Sequence, residues 1–144
     1  MEEDKIKSLA DKREKKADSK KALKWIVEGL IVRIINDKIH GGTLYNKKLQ
    51  VASIIDESTF LILDGLKLYS DILERDLETV LPASKEYKEA FVMILHGEFK
   101  GEQAHILEKN KKTEMVTVQM TDSAGLQILT LHMDHVCLYK QPNN

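Results

Sequence analysis

Three clusters in this sequence carry side chains able to do chemistry. The first is "IINDKIHGGTLYNKKLQVASII", from Ile34 to Ile55, where Lys38, His40, Lys47 and Lys48 surround Tyr45 and Arg33 lies just upstream. Basic groups around an aromatic ring can neutralise phosphates while the ring stacks on a base. An ordinary turn is the competing reading: Gly41 and Gly42 supply positive φ, Tyr45 packs at an edge and the lysines are solvated. The second cluster, "HGEFKGEQ", holds Phe99 and Lys100 between Glu98 and Glu102. Those carboxylates repel a phosphate backbone, so Phe99 and Lys100 suit docking of a protein partner better. "EKNKKTE" (Glu108–Glu114) reads as a solvated hairpin tip.

The third cluster is His132, His135 and Cys137. Zinc takes four ligands in closed geometry, and a fourth could come only from His96 or His105, elsewhere in the chain. No CxxC pair accompanies them. Cys137 is more simply a small buried residue of a last strand, and no metal or other cofactor is expected. Catalysis finds no support either: the sequence has no G-x-S-x-G elbow, Walker lysine loop or G-x-G-x-x-G. Ser123 in "TDSAG" reads as a turn residue, and the Asp56–Glu57 pair falls in a turn without a pocket. The expectation is a protein that is not an enzyme.

The elements that must position these clusters are short and β-like. Candidate strands are Leu30–Ile35, Leu49–Ile55, Thr59–Leu63, Leu66–Tyr69, Ala90–Leu95, Gln103–Glu108, Met115–Met120, Leu126–Leu131 and Val136–Tyr139. Turn residues separate them at Gly41–Gly42, Asp56–Ser58, Asp64–Gly65, Asn110–Lys112 and Asp122–Gly125. "SDILERDLETVLP" predicts a helical turn before a short strand, with Asp71 and Glu74 at capping-box spacing and Pro82 as the stop. "HMDHV" occupies the same place later in the chain.

The pattern repeats. "VRIINDKIHGG" and "VMILHGEFKG" both run an apolar strand into a loop ending on glycine, and "RDLETVLP" and "MDHVCLY" both follow an acidic turn with a short strand. Val32 to Val92 is 60 positions, Gly42 to Gly101 is 59 and Asp76 to Asp134 is 58. Such agreement predicts a duplicated unit of about sixty residues.

Composition sets the outer bounds. The chain has 144 residues, 42% hydrophobic and 31% charged, with a net charge of −1. Residues 1–24 hold nine Lys/Arg against six Asp/Glu, whereas residues 25–84 hold six against nine. A mildly acidic body behind a charged helical or disordered leader disfavours a strongly basic nucleic-acid binder. No apolar stretch approaches the roughly 18 residues of a membrane span, and no secretory h-region is present. One cysteine suits a reducing compartment.

Taken in order, "V-x-I … K-x-x-G-G-x-L-Y-x-K-K-x-x-V", "D-L-E-T-x-x-P", "V-M-I-L-x-G-x-x-K-G" and "D-x-V-x-x-Y" resemble the C-terminal half of the GPKOW family, nuclear splicing factors with a G-patch and KOW motifs. The resemblance runs from Trp25 to about Tyr139. A second relative, the KIN-type zinc-finger nuclear protein with a tandem SH3-like tail able to bind DNA or RNA, shares the tryptophan opening and "ETV-x-P". It lacks the Gly-Gly-x-Leu-Tyr loop. The GPKOW resemblance implies two tandem five-stranded SH3-like KOW barrels, at 25–83 and 87–141, in an all-β chain. It also implies a nuclear, non-enzymatic docking role in the spliceosome, with low-affinity single-stranded RNA or spliceosomal proteins as partners. The RNA contacts would be Arg33, Lys38, His40, Tyr45, Lys47 and Lys48. An RNA helicase is expected as partner only if a G-patch lies outside this chain, since the seven glycines here form none. A monomer without membrane attachment is expected. Ala104 and Leu49 stand where KOW motifs usually carry a further glycine. The alternative functions are a pure protein adaptor or a methyl-peptide reader using Trp25, Tyr45, Phe60 and Tyr69.

Overall fold

The computed structural model describes residues 21–121 and 127–141. Most of the expected leader at 1–24, and the Asp122–Gly125 turn with Ser123, lie outside the described residues. The remainder is all-β, with ten strands in two five-stranded antiparallel sheets joined by single 3-10 turns. The first sheet contains β1 (Ile31–Ile34), β2 (Lys48–Asp56), β3 (Thr59–Asp64), β4 (Lys67–Tyr69) and β5 (Leu77–Thr79), in the order β4-β3-β2-β1-β5. The second contains β6 (Phe91–Ile94), β7 (Gln103–Asn110), β8 (Met115–Met120), β9 (Ile128–His132) and β10 (Val136–Tyr139), in the order β10-β6-β7-β8-β9. Each is a four-stranded meander whose fifth strand returns beside the first, as the tandem SH3-like reading expects.

Alternation explains the first sheet. In β1, Val32 and Ile34 are buried while Ile31 and Arg33 are only partly covered, and β3 buries Phe60 and Ile62 in the same way. The second sheet repeats these positions with Val92, Ile94, Val116 and Val118. Even the irregularity recurs: the register shifts between Val51 and Ser53 in β2 and between Ile106 and Glu108 in β7. The expected 3-10 or helical turn before the last strand is present in both copies, at Glu74–Asp76 and Met133–His135.

Two details of the repeat differ from the sequence reading. Gly42 corresponds to Gly97, because Tyr45 N–H donates to Gly42 as Lys100 N–H donates to Gly97. Gly101 corresponds to Asn46: both donate to the last residue of the preceding strand, Ile94 and Ile34, and both have positive φ. The second loop is therefore shorter, and its glycine spacing was matched to the wrong partner. Likewise Asp76 aligns with His135 and not Asp134, since their carbonyls accept from Ile35 N–H and Leu95 N–H respectively. The capping residue also changes. Leu73 N–H donates to the Asp76 carboxylate (2.9 Å), whereas Asp71 and Glu74 serve other contacts described below.

The sheets pack together through β6 and β10. Met93, Leu95 and Cys137 belong to the core of the first sheet, alongside Ile26, Leu30 and Leu77. Backbone bonds cross the junction: Leu138 N–H donates to Val80 O at 2.6 Å and Lys140 N–H to Gly29 O at 2.9 Å. The continuous apolar run "FVMIL" has this cause: three of the four β6 residues are buried, because both faces of the strand are covered.

Candidate nucleic-acid interface

The Lys38–Lys48 loop leaves β1 and returns to β2, and its backbone is heavily constrained. His40, Gly41 and Gly42 have φ of 49°, 64° and 82° in succession. Gly41 has open space where a Cβ would stand, so it is the dihedral that requires glycine there. A histidine in this region is strained, and its ring is held from two sides: Nε2 lies 2.9 Å from the Asp71 carboxylate, and the ring meets Tyr69 edge-on at 4.8 Å. Thr43 Oγ1 closes the turn by donating to His40 O at 2.8 Å. Leu44, 2% exposed, plugs the loop into the core.

A buried carboxylate ties the start of the loop to the 3-10 turn before β5. Asp76 is 4% exposed and accepts from Asn36 Nδ2 (2.9 Å) and from Leu73 N–H. The Asn36 side chain in turn accepts from Lys38 N–H at 2.8 Å. Glu74 fixes the entering chain. Its carboxylate accepts from the backbone N–H groups of Lys24, Trp25 and Ile26 at 2.8–3.1 Å. The sequence reading named Glu74 only as a capping-box residue and Asp76 only as a repeat marker, so neither of these ties was foreseen.

On this frame the expected site residues fall into two groups. Tyr45 is 52% exposed beside the Leu44 anchor, and Lys48 is exposed on β2 opposite Arg33. Lys38 is also exposed, with Nζ 3.7 Å from Asp37. The other basic groups already hold carboxylates: Arg33 with Glu78 at 3.1 Å, Lys47 with Asp64 at 3.2 Å, and His40 with Asp71. Exposed pairs of this kind contribute about 0–1 kcal/mol each, so a phosphate can compete for the cation at small cost.

The second loop holds the two residues expected to dock a partner. Phe99 is half-buried against the core of the second sheet, in the place Leu44 holds in the first. Lys100 Nζ reaches Lys24 O at 3.3 Å. The aromatics of the methyl-peptide reading are already engaged within the protein. Phe60 is 1% exposed and part of the core, Tyr69 meets His40, and Trp25 sits where Glu74 pins the backbone.

Of the residues of the zinc reading, His96 and His135 have ring centroids 4.8 Å apart, whereas Cys137 is turned into the core. Cys137 is buried and its thiol donates to Ile31 O at 3.1 Å; burial pushes its pKa up to about 12. His132 and His135 have ring centroids 5.7 Å apart, and His135 is exposed. Among the described residues, no group of three or more His, Cys, Asp or Glu could hold a metal ion. No helix among them is long and apolar enough to cross a membrane.

Two tandem sheets of this order, with a glycine loop after the first strand of each, invite comparison with known KOW proteins. Residues 30–141 match the family described as the GPKOW C-terminal domain. The chain belongs to that family. It is 27% identical over 121 residues to the human G-patch domain and KOW motifs-containing protein, covering 83% of this chain and 24% of the relative. The Caenorhabditis elegans G-patch domain and KOW motifs-containing protein homolog 1 is 30% identical over 112 residues, covering 77% and 23%. Protein MOS2 of Arabidopsis thaliana is 28% identical over 117 residues, covering 80% and 24%. The chain thus spans about a quarter of the length of these relatives.

Proposed function

We propose that this GPKOW-family chain is a non-enzymatic docking module of a nuclear splicing factor, and that its Lys38–Lys48 loop makes weak contact with single-stranded RNA. Family membership supports the general role. The observation that carries the RNA contact is Tyr45: a ring 52% exposed on a loop whose neighbour Leu44 is locked into the core. An anchored backbone leaves less freedom to lose when an exposed ring stacks, and a base on such a ring contributes about 1–3 kcal/mol. Lys38, Lys47 and Lys48 would supply phosphate contacts on either side, with Arg33 and His40 behind them. Three phosphates neutralised on a single strand correspond to a slope of log affinity against log salt of about −2.

Fluorescence anisotropy with a short single-stranded RNA, between about 50 and 200 mM salt, tests this. The chain should lose roughly 20-fold in affinity across that range. Tyr45→Ala should weaken binding about tenfold, and Lys47→Ala with Lys48→Ala should flatten the salt slope. Unchanged affinity in both variants removes the loop from the function. A pure protein adaptor is the second reading, favoured by the carboxylates at 2.9–3.7 Å from Arg33, Lys38, His40 and Lys47. Absence of RNA binding would remove the RNA contact and leave the protein adaptor as the reading to test. Spliceosomal proteins are then the partners to test, an RNA helicase only through a G-patch outside this chain. The module acts as a monomer in either case.

A further inference from the structure

A groove of about 500 Å³ lies at the junction of the two sheets, lined by Ile31 of β1 and otherwise by residues 86–141. Its size falls within the roughly 300–1,000 Å³ usual for ligand pockets. Phe91, at the start of β6, is 40% exposed, and it stands directly across from Tyr139 on β10. Both rings are held before any ligand arrives. His105 packs on Phe91 at 4.6 Å and fixes its own ring by donating Nδ1–H to Ala90 O at 2.9 Å. Tyr139 lies so close to Gly29 that a Cβ there would stand 2.5 Å from its Cε1.

The lining of the groove is also acidic. Glu86 and Glu89 both line the groove, on a turn closed by Glu89 N–H and Ala90 N–H donating to Glu86 O. Both are exposed, and neither forms an ion pair among the described residues. Lys140 is the one cation lining the groove, leaving its lining with an excess of one negative charge. Two aromatic rings sharing a groove with two carboxylates attract a cation and repel a phosphate.

We propose that this groove docks an arginine side chain of an extended basic peptide. The guanidinium stacks flat on the Phe91–Tyr139 pair and forks toward Glu86 and Glu89, which a compact ammonium does less well. The half-buried Ile31 and Leu138 take the aliphatic stem and flanking residues. This site is separate from the RNA-contacting loop and does not depend on it.

The test is a titration of the full chain with a fluorescein-labelled Gly-Arg-Gly-Arg-Gly peptide, followed by anisotropy and by amide chemical shifts. Saturable binding is expected, with shifts centred on Glu89, Phe91, Tyr139 and Lys140. Glu86→Gln with Glu89→Gln, both on the surface, should weaken it about 3- to 10-fold, as should Phe91→Ala. The same peptide with citrulline for arginine should not saturate. The proposal is overturned if wild-type chain does not saturate, if citrulline binds equally, or if the double glutamine variant binds as wild type. Shifts centred on residues 38–48, or displacement of the peptide from this groove by single-stranded RNA, overturn it as well.

Discussion

Removing the Asp76 carboxylate should destabilise the chain more than any comparable surface change, and the structure sets the size. Asp76 is buried and accepts two hydrogen bonds, from Leu73 N–H and Asn36 Nδ2, both 2.9 Å. A bond to a charged group contributes about 1.5–3 kcal/mol, but Leu73 and Asn36 are only half-buried and regain some water when released. Asp76→Ala should therefore cost about 2–4 kcal/mol, and Asp76→Asn, which keeps one acceptor, roughly half as much. In urea, with a slope near 2 kcal/mol/M, the alanine variant should unfold about 1–2 M earlier at unchanged slope. Asn36 also holds Lys38 N–H, so the Lys38 amide should lose protection from hydrogen exchange more than β3 does. Glu78→Ala is the control: it removes an exposed partner of Arg33 on the neighbouring strand and should cost about 0–1 kcal/mol. If Asp76→Ala shifts the urea midpoint no further than Glu78→Ala, the buried carboxylate is not what ties the loop to the turn.

Gly29→Ala should cost about 1–3 kcal/mol in a thermal or urea melt, because φ of 97° is unfavourable with a Cβ and that Cβ would meet the Tyr139 ring and Lys140 O; a neutral result would show that the backbone at residue 29 relaxes away from this conformation. Cys137 should stay unreactive toward a thiol reagent at pH 8 in the native chain and react at once in denaturant; rapid native labelling would contradict its burial. His96 is held below the ordinary histidine value, first by desolvation and then by His135 and Lys100. The folded chain thus binds the proton less readily than the unfolded one, so its contribution to stability is full above about pH 6.5 and is lost as pH falls below that toward the lowered folded value. Melts at pH 7.5 and 5.5 should show the decline, and His96→Gln should reduce it; an identical decline in the variant would assign it to other groups.

The strands were legible because the chain alternates where one face is covered, and turn residues mark nearly every boundary. β8 coincides with the expected Met115–Met120, and β1 and β6 lie inside the expected runs. The repeat was legible from the same residues, although its glycines misled the alignment. Glycine and asparagine both tolerate positive φ, so Asn46 stands where the second copy uses Gly101, and only the backbone hydrogen bonds reveal the match. Loop basicity could be read, but not its neutralisation. Asp64, Asp71 and Glu78 lie 17, 31 and 45 positions from their partners and meet them only through the sheet. Phe91 was read simply as part of a strand, because nothing local distinguishes an aromatic facing a groove from one facing a core. Glu74 was hidden for the opposite reason: its partners are backbone N–H groups, which carry no sequence signature at all.

The two copies have diverged along complementary lines, and each divergence makes sense of the other. The first keeps a long loop after β1, which needs its own anchor in Leu44 and its own tie in Asp76. The second replaces that loop with a shorter one, and His135 takes the position of Asp76 without a buried charge. Its β6 is then free to bury a second face, giving Met93, Leu95 and Cys137 to the neighbouring core. A unit of about sixty residues buries little surface alone, so sharing one core between two sheets stabilises both. The same junction that covers those apolar side chains leaves Phe91 and Tyr139 at its rim. On the two proposals made above, recognition would be divided between the long loop of the first copy and a groove at the junction of the two copies.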